Sequence, residues 1–578
     1  MGTDTSKPVL ILGAGINGAA LARELALNGI PVRVVDCNDL AFGATSKSSR
    51  LIHGGLRYLE YGDFRLVKES LDERTILHKL VPQFVEPLRL FIPVRTRFSG
   101  LLMSAARFLG KGRWFRRWAG GSQDRGLWLV RMGLWLYDVL ARSPDFPKHS
   151  ISSLPSPSVP KVDGTRYRWL CAYTDAQMRL PERFVVALLE DASRLAAKTG
   201  ADFQVLTHHS VSLRDTTAVI RKLGSEEIVA EIEPALLVNA TGSWGDLTLR
   251  ELGIASKRLF GGTKGSHFIT HHRGLRSALG DDGLYAEAED GRLIFVLPFG
   301  DSVLVGTTDE RFEGSPADAV ATPEELAYLR QMVNDLFPDV ELNETDVDVH
   351  YCGVRPLPNS SDATAAAIPR GHWIDVNEEG ALATMTLIGG KLTTCRAFAE
   401  EAATLVANRL GATICENSRE RPVPGGADYP TDEQAVRDTC NRLAERFKIS
   451  PLQIHAIWEL CGNRVNEILS DVADLDRTNL PGTDLPLAYV QWVIEHEWAT
   501  RIEDLIERRL MLVYHPSLSE ECLQSLADCL IEAGHLADSD RDGAVETAID
   551  RLRAHYGKKV IRTASADGAE RTAESRTT

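Results

Sequence analysis

The chain has 578 residues, of which 44% are hydrophobic and 25% are charged, and its formal net charge is -15 at pH 7. It is too long for one hydrophobic core, which predicts a globular protein of several domains, and its negative charge argues against nucleic-acid binding because phosphates would be repelled. The nine cysteines include no C-x-x-C pair, so the sequence predicts neither a disulfide framework nor a zinc or iron–sulfur site.

The first predicted elements are a strand, a glycine-rich turn, a helix and a second strand. The apolar run 9–12 leads into Gly13-Ala14-Gly15-Ile16-Asn17-Gly18, and the second strand ends at Asp36. In such a unit Gly13 permits the tight turn, Gly15 lets backbone approach a pyrophosphate, and Gly18 allows close packing of helix and strand. The helix N-terminus attracts phosphates, and Asp36 can accept hydrogen bonds from ribose hydroxyls. This stretch therefore predicts dinucleotide binding.

Two functional segments follow directly in the chain. Residues 38–50 are rich in small and hydroxyl side chains, which suits contact with a ribityl chain and a pyrophosphate. The next segment is Ile52-His53-Gly54-Gly55-Leu56-Arg57-Tyr58, where paired glycines permit close backbone approach. A structural loop histidine is the alternative for His53, but the glycines and the neighbouring Arg57 favour a functional one.

Residues 13–18 and 48–59 together resemble the FAD-dependent glycerol-3-phosphate dehydrogenases, which belong to the flavoprotein group that includes D-amino-acid oxidase. The resemblance extends through most of the chain, and it implies FAD as cofactor and glycerol 3-phosphate as substrate. The family usually has Glu where Asp36 stands in this sequence. We expect the shorter acid still to reach a ribose hydroxyl.

A basic and aromatic stretch extends from Arg95 to Arg131. It contains nine basic residues and one acid, together with Trp114, Trp118 and Trp128, and it leads into a predicted amphipathic helix over residues 127–140. Cations suit anionic lipid headgroups and indoles suit the membrane interface, so the stretch predicts a membrane-facing insert. A solvated helical hairpin whose tryptophans cover the protein's own core is the alternative.

The middle of the chain predicts a return to the nucleotide site and then a sheet. The strand at residues 236–239 ends in Ala240-Thr241-Gly242, a turn that reaches the adenine side of the cofactor in two-dinucleotide-fold flavoproteins. Residues 292–298 and 303–309 read as a hairpin of an antiparallel substrate-domain sheet, with residues 262–267 at its edge.

Further along, Arg355 and Arg370 come from two different elements. The segment Thr386-Leu387-Ile388-Gly389-Gly390-Lys391-Leu392-Thr393 then predicts a strand, a glycine turn and a helix. A linker at residues 422–426 leads into a helical region that resembles the family's C-terminal domain.

These elements predict an α/β fold with a discontinuous FAD-binding Rossmann-like domain, an antiparallel-sheet substrate domain and a C-terminal all-helical domain. The expected division is FAD-binding domain 1–94, membrane-facing insert 95–150, mainly FAD-binding domain 151–258, mainly substrate domain 259–380, FAD-binding domain 381–420, helical domain 421–560 and disordered tail 561–578. The expected cofactor site comprises Gly13, Gly15, Ile16, Asn17, Gly18, Asp36, Thr45, Ser48, Ser49, Arg50, Gly54, Gly55, Thr241, Gly242, Gly389, Gly390, Lys391, Leu392 and Thr393.

The chemistry implied by the resemblance is hydride transfer from C2 of glycerol 3-phosphate to flavin N5, which yields dihydroxyacetone phosphate. Arg57, Arg355 and Arg370 are assigned to the phosphate, because guanidinium groups match phosphate oxygens bidentately. His53 is the candidate base, and Lys391 is expected at the flavin N1–C2=O edge, where negative charge develops. Tyr58 and Lys264 are further candidates for lining the pocket.

The electrons require an external acceptor, because the sequence has no iron–sulfur or haem ligands. We expect a membrane quinone and peripheral attachment, through anionic lipid, to the inner face of the cytoplasmic membrane. A glycerol-3-phosphate oxidase that uses oxygen and an amino-acid-oxidase-type flavoenzyme of the same superfamily are the alternatives, and a non-catalytic flavin-binding scaffold is a third. The three separate arginines argue against an amino-acid substrate. The sequence leaves open whether the protein forms a homodimer.

Overall fold

The computed structural model describes residues 7–97, 126–287, 292–359, 371–380, 382–472 and 477–562. The chain forms two compact units, one of residues 1–429 with 461–463 and the other of residues 430–460 with 464–578. Residues 563–578 of the predicted tail and residues 98–125 of the predicted membrane-facing insert therefore lie outside the described residues.

The strands all belong to the first unit. In chain order they are β1 (Val9–Leu12), β2 (Val32–Val35), β3 (Leu51–Ile52), β4 (Val85–Val94), β5 (Ser150–Ser153), β6 (Trp169–Met178), β7 (Phe203–Leu206), β8 (His209–Arg214), β9 (Thr217–Lys222), β10 (Ile228–Ile232), β11 (Leu236–Asn239), β12 (Thr263–Thr270), β13 (Gly283–Glu287), β14 (Leu293–Phe299), β15 (Ser302–Gly306), β16 (Glu310–Arg311), β17 (Val349–Arg355), β18 (Trp373–Asn377) and β19 (Thr384–Ile388).

The helices of the first unit lie between these strands, except the last α-helix and the 3-10 helix before it, which follow β19. They are α1 (Ile16–Leu27), α2 (Phe64–Leu80), α3 (Leu127–Ala141), α4 (Pro181–Thr199), α5 (Gly245–Glu251), α6 (Arg273–Leu279), α7 (Pro323–Leu336) and α8 (Cys395–Leu410), with a 3-10 helix at Leu56–Tyr61 and another at Leu392–Thr394.

A six-stranded sheet carries the glycine-rich turn. Its strand order is β18-β19-β11-β1-β2-β7, and every neighbouring pair is parallel except β18 with β19. The central strands are fully buried, as expected for a parallel sheet covered by helices on its faces. Helix α1 packs against α4 and α8, and its alanines allow the three helices to approach closely.

A larger, mixed sheet forms the second layer of the first unit. Its strand order is β16-β12-β15-β14-β13-β4-β6-β3, while β17 pairs with β12 and β5 pairs with β6. Its pairs are antiparallel except β13 with β4, which is parallel, so the sheet is not purely antiparallel. A separate three-stranded sheet has the order β10-β9-β8.

Three details of these two sheets differ from the sequence-based expectation. Strand β12 pairs with both β15 and β17, so residues 262–267 do not form an edge. Strands β4 and β6 lie in segments expected in the FAD-binding domain, yet they pair across ten residues in the large sheet. Strand β18 lies in the segment expected mainly in the substrate domain, yet it joins the six-stranded sheet. A strand's own pattern does not identify its pairing partner, and that partner decides its sheet.

The second unit is helical in its described residues. Its helices are α9 (Glu433–Phe447), α10 (Pro451–Cys461), α11 (Val465–Asp471), α12 (Leu487–His496), α13 (Ile502–Asp504), α14 (Glu520–Glu532) and α15 (Arg541–Tyr556), with a π-helix at Leu505–Arg509. The expected α/β fold class with a helical C-terminal region is confirmed. Within the described ranges, no helix has both the length and the apolar character needed to cross a bilayer.

Candidate active site

A cavity of about 500 Å³ opens where the first unit's separated segments meet. This volume lies in the usual range for a ligand or cofactor pocket. The predicted residues that line it are Gly13, Gly15, Ile16, Asn17, Asp36, Thr45, Ser48, Ser49, Arg50, His53, Tyr58, Thr241, Gly242, Arg355, Gly389, Gly390, Lys391, Leu392 and Thr393. These residues come from six stretches of sequence, and Asn17 and Gly389, which are in contact, lie 372 positions apart.

The glycine-rich turn forms one wall of the cavity. A Cβ atom on Gly18 would lie 2.0 Å from the carbonyl oxygen of Gly13, so this position requires glycine for the helix to pack on the turn. A Cβ atom on Gly15 would meet only the Thr45 hydroxyl, at 3.5 Å, which is an ordinary contact. Gly15 is therefore not needed for packing within the protein, and its lack of a side chain keeps this wall of the cavity open.

The carboxylate of Asp36 lies at the end of β2 beside the turn. Its Oδ2 accepts a hydrogen bond from the Ala14 N–H at 2.8 Å, and its Oδ1 accepts one from the Asn38 N–H at 2.8 Å. Removal from water raises the pKa of this carboxyl, and the two N–H groups oppose the rise. Each carboxylate oxygen has a second lone pair, so Asp36 can still accept ribose hydroxyls.

The turn at Gly389 and Gly390 closes the cavity against the first turn. Gly389 has φ of 75° and Gly390 has φ of 86°, a left-handed backbone that favours glycine. Asn17 donates its amide N–H to the Gly389 carbonyl at 3.2 Å, while its Oδ1 is buried without a hydrogen-bond partner in the described structure. An unsatisfied buried acceptor beside a helix N-terminus fits the dinucleotide cofactor that the sequence predicts.

His53 faces the cavity next to aromatic side chains. Its ring makes an edge contact with Phe295 at a centroid distance of 6.4 Å. Burial lowers the pKa of His53 to about 4; nearby Asp175 opposes this change and nearby Lys391 adds to it. The imidazole is therefore neutral at pH 7 and has a free lone pair to accept a proton.

Lys391 directly precedes the 3-10 helix that leads into α8. Its Nζ lies 4.1 Å from the centroid of the Tyr58 ring and donates to the Ser70 hydroxyl at 3.3 Å. The cation–π contact and the hydrogen bond hold the ammonium group at the cavity wall. Lys391 and Tyr58, expected from separate motifs, are thus in direct contact.

Arg355 ends β17 at the cavity and is held by an acidic partner. Its guanidinium donates to Asp309 at 3.0 Å and to the Thr307 hydroxyl at 3.0 Å. Lys264, expected as a pocket residue, instead pairs with Glu325 at 2.8 Å and does not line the cavity in the described structure. Asp309 and Thr307 therefore fix the position of the Arg355 guanidinium, and the negative charge of Asp309 offsets part of its positive charge.

Several residues that the sequence assigned to the cofactor or the substrate are not shown in contact with the cavity, or are paired with other residues. Arg50 lines the cavity, but its guanidinium is buried and paired with Glu182 at 2.6 Å. Among the described residues, Gly18, Gly54, Gly55 and Arg57 do not line the cavity, and Arg370 lies outside the described residues. The Nε atom of Arg57 is buried and has no hydrogen-bond partner in the described structure. The roles of Arg57 and Arg370 in phosphate binding therefore stay predictions.

Sequence reasoning missed several residues of the cavity wall. Trp244 lies two residues after the Ala240-Thr241-Gly242 turn, so its place in the sequence was a usable signal. Phe295 lies on a strand of the predicted hairpin and stacks on Tyr285 at a centroid distance of 4.7 Å. No local pattern distinguishes Phe295 from the other apolar residues of that strand.

Comparison with known proteins agrees with this arrangement. Residues 8–396 match the family model of FAD-dependent oxidoreductases. A glycerol-3-phosphate dehydrogenase of Synechocystis sp. is 31% identical over 525 residues, covering 88% of this chain and 89% of that protein. A D-erythritol 1-phosphate dehydrogenase of Brucella abortus is 30% identical over 523 residues, covering 89% of this chain and 95% of that protein.

Among solved structures, a glycerol-3-phosphate dehydrogenase of Bacillus halodurans complexed with FAD has the same fold. It superimposes with a TM-score of 0.70 over 96% of each chain, at 20% sequence identity. The family model spans the glycine-rich turn, Asp36, His53, Arg355 and Lys391, so it contains the whole cavity described above. The chain belongs to the family of FAD-dependent oxidoreductases.

Proposed function

We propose that the protein oxidises sn-glycerol 3-phosphate to dihydroxyacetone phosphate. The observation that supports this most strongly is the convergence of His53, Arg355 and Lys391, from three separate segments, on the cavity that carries the dinucleotide-binding turn. FAD, when bound, supplies the N5 atom that accepts a hydride from C2 of the substrate. The residues of the chain then have three tasks: to bind the phosphate, to take the hydroxyl proton and to balance charge.

His53 takes the proton of the C2 hydroxyl as the hydride leaves. Its lowered pKa keeps the imidazole neutral, so a lone pair is available. The dianionic phosphate of a bound substrate would oppose this lowering and make the imidazole a stronger base in the complex. His53 is therefore the residue whose loss should slow the chemical step itself.

Arg355 binds the substrate phosphate, with Arg57 and Arg370 proposed as further cations. The contacts with Asp309 and Thr307 hold the Arg355 guanidinium at the cavity wall. We expect phosphate oxygens to replace neutral protein acceptors such as the Thr307 hydroxyl, because hydrogen bonds between two charged groups are the stronger ones. Lys391 also places a positive charge at the cavity wall. Together with the N–H groups that open its helix, Lys391 stabilises the negative charge that develops on the reduced cofactor.

Changing Arg355 to alanine should raise the KM for glycerol 3-phosphate about ten- to a hundredfold. The lost charge-assisted hydrogen bonds contribute about 1.5–3 kcal/mol, whereas the flavin absorbance should stay unchanged. Steady-state kinetics with glycerol 3-phosphate and with glycerol check this. Glycerol has no phosphate, so its poor turnover should change little. An equal loss with both substrates would place Arg355 outside phosphate binding.

A four-carbon polyol phosphate is a second candidate substrate. The Brucella abortus relative is named for D-erythritol 1-phosphate, and its identity to this chain is only one percentage point below that of the Synechocystis relative. Both molecules offer a phosphate and a secondary hydroxyl to the same residues. Comparing kcat/KM for the two phosphates on the purified enzyme decides between them.

We also propose that the protein attaches peripherally to anionic lipid at the inner face of the cytoplasmic membrane, where it passes electrons to quinone. The support comes from α3, which follows the basic stretch. Trp128, Met132, Trp135 and Val139 are exposed along one face of this helix, at spacings of four, three and four residues. An apolar helix face whose sequence adjoins a run of basic residues is typical of interfacial attachment. Arg113, Arg116 and Arg117, which we expect to contact lipid, lie outside the described residues.

Changing both Met132 and Trp135 to glutamate should release the enzyme from anionic vesicles and lower its turnover with quinone. Each side chain is 59% exposed, so the change removes an apolar contact with lipid without opening the core. Vesicle sedimentation and turnover with a soluble dye measure the two effects, and dye turnover should survive.

A matched control changes Ile228 and Val229, which are 45% and 43% exposed on β10, to glutamate. The control should sediment like the parent. Parent-like sedimentation of the α3 variant would remove this face from membrane binding. Equal turnover of the parent with oxygen alone and with quinone would favour an oxidase instead.

A further inference from the structure

A buried hydrogen-bond network lies behind the His53–Gly54 turn. Asp175 of β6 accepts from the Tyr137 hydroxyl at 2.6 Å and from the Arg74 guanidinium at 2.7 Å, both at the same oxygen. The side chains of Arg74 and Asp175 are each only 1% exposed. None of these three side chains lines the cavity in the described structure, and the proposed chemistry does not use them.

The network reaches the turn through a backbone N–H group. The Gly54 N–H donates to the Tyr137 oxygen at 2.9 Å, and its distance to Asp175 Oδ1 is longer, at 3.4 Å. Burial, followed by the neighbouring Asp175 charge, raises the pKa of Tyr137 well above its usual value, so the phenol stays protonated. Its single proton goes to Asp175, which leaves the oxygen's lone pairs for the Gly54 N–H.

The peptide that precedes His53 is held by a different segment of the chain. The His53 N–H donates to the Thr393 hydroxyl at 3.1 Å, and Thr393 lies in the 3-10 helix that follows Lys391. A Cβ atom on Gly54 would lie 2.5 Å from the Tyr137 hydroxyl, which shows how closely the turn packs on that oxygen. Two consecutive N–H groups, one on each side of the His53 Cα, are therefore fixed by different segments.

A buried ion pair adds little net stability, because desolvation of its charges offsets their attraction. The pair of Arg74 and Asp175 therefore calls for an explanation beyond stability, and a fixed acceptor behind the turn provides one. From this geometry we propose that Tyr137 is a positioning residue for His53: held by Asp175 and Arg74, its hydroxyl fixes the Gly54 peptide and thereby the imidazole. The inference rests on the proposed role of His53.

The test is Tyr137→Phe, which removes the hydroxyl and keeps the ring. The matched control is Tyr173→Phe, because Tyr173 is a buried tyrosine whose ring contacts that of Tyr137 at a centroid distance of 5.7 Å. In the described structure the Tyr173 hydroxyl makes no hydrogen bond to the turn. Anaerobic single-turnover reduction of the holoenzyme by glycerol 3-phosphate gives the rate constant, and amide hydrogen exchange of the peptide containing Gly54 reports on the turn without substrate.

We expect Tyr137→Phe to slow flavin reduction by about 10- to 100-fold, because small misplacements of a reacting group cost this much. The KM should change less than the rate constant, and the Gly54 peptide should exchange faster than in the parent. Tyr173→Phe should match the parent in both measurements.

Parent-like reduction and exchange in Tyr137→Phe would overturn the inference, as would equal slowing in both variants. Loss of FAD or of thermal stability in Tyr137→Phe alone would also overturn it, since the hydroxyl would then support the fold rather than the turn. If the parent itself were not reduced by glycerol 3-phosphate, the proposed function would fail, and the exchange comparison would still test the hold of Tyr137 on the turn.

Discussion

Changing His53 to glutamine is expected to reduce the rate constant of flavin reduction by about 10²- to 10⁴-fold, the usual contribution of a positioned general base. A glutamine side chain can hydrogen-bond to the substrate hydroxyl, but it cannot take up its proton at neutral pH. The KM should therefore change much less than the rate constant, and the bound flavin should keep its absorbance. Stopped-flow reduction under anaerobic conditions measures the rate constant directly.

The control for this change is His350→Gln. His350 is a partly buried histidine on β17 whose pKa is also lowered by burial, but it does not line the cavity in the described structure. Its replacement removes a similar imidazole outside the site and should leave the rate of flavin reduction close to that of the parent. Parent-like single-turnover reduction in His53→Gln would remove His53 from the mechanism.

Changing Gly15 to valine is expected to yield a folded protein that has lost its FAD. A Cβ atom at Gly15 would contact only the Thr45 hydroxyl, at an ordinary 3.5 Å, so it meets no steric conflict within the protein. A valine side chain at position 15 would occupy space in the cavity, at the point where the backbone must approach the pyrophosphate of the cofactor. The flavin absorbance of the purified variant, with its unfolding temperature, separates loss of cofactor from loss of fold.

Gly164→Val is the matched control for this variant. A Cβ atom at Gly164 meets nothing within 4 Å, and the residue does not line the cavity in the described structure. We expect this control to purify with its FAD. Full FAD occupancy in Gly15→Val would show that the pyrophosphate lies elsewhere.

The parts of the site that the sequence predicted are those encoded by contiguous residues. The strand, turn and helix from Val9 to Leu27 lie within one short segment, so periodicity and glycine spacing predict them. The same holds for the turn at Gly389 and Gly390 and for the hairpin of β14 and β15. Each of these elements depends on local backbone geometry and needs little information from the rest of the chain.

The parts that the sequence did not predict depend on distant partners. Arg50 was expected at the cofactor, but its charge is taken up by Glu182, which is 132 positions away. The hydroxyl that holds Gly54 belongs to Tyr137, which is 83 positions away. Gly54 was expected to make room for a cofactor, whereas its nearest neighbours are side chains of the protein. No local pattern indicates which distant side chain satisfies a buried group.

Anaerobic mixing of the oxidised holoenzyme with sn-glycerol 3-phosphate tests the central claim most directly. We expect complete bleaching of the flavin absorbance, one dihydroxyacetone phosphate formed per FAD, and much slower reduction by glycerol at the same concentration. D-Erythritol 1-phosphate, measured in parallel, should be less efficient in kcat/KM. A flavin that stays oxidised with glycerol 3-phosphate, or one that glycerol reduces equally fast, would contradict the account.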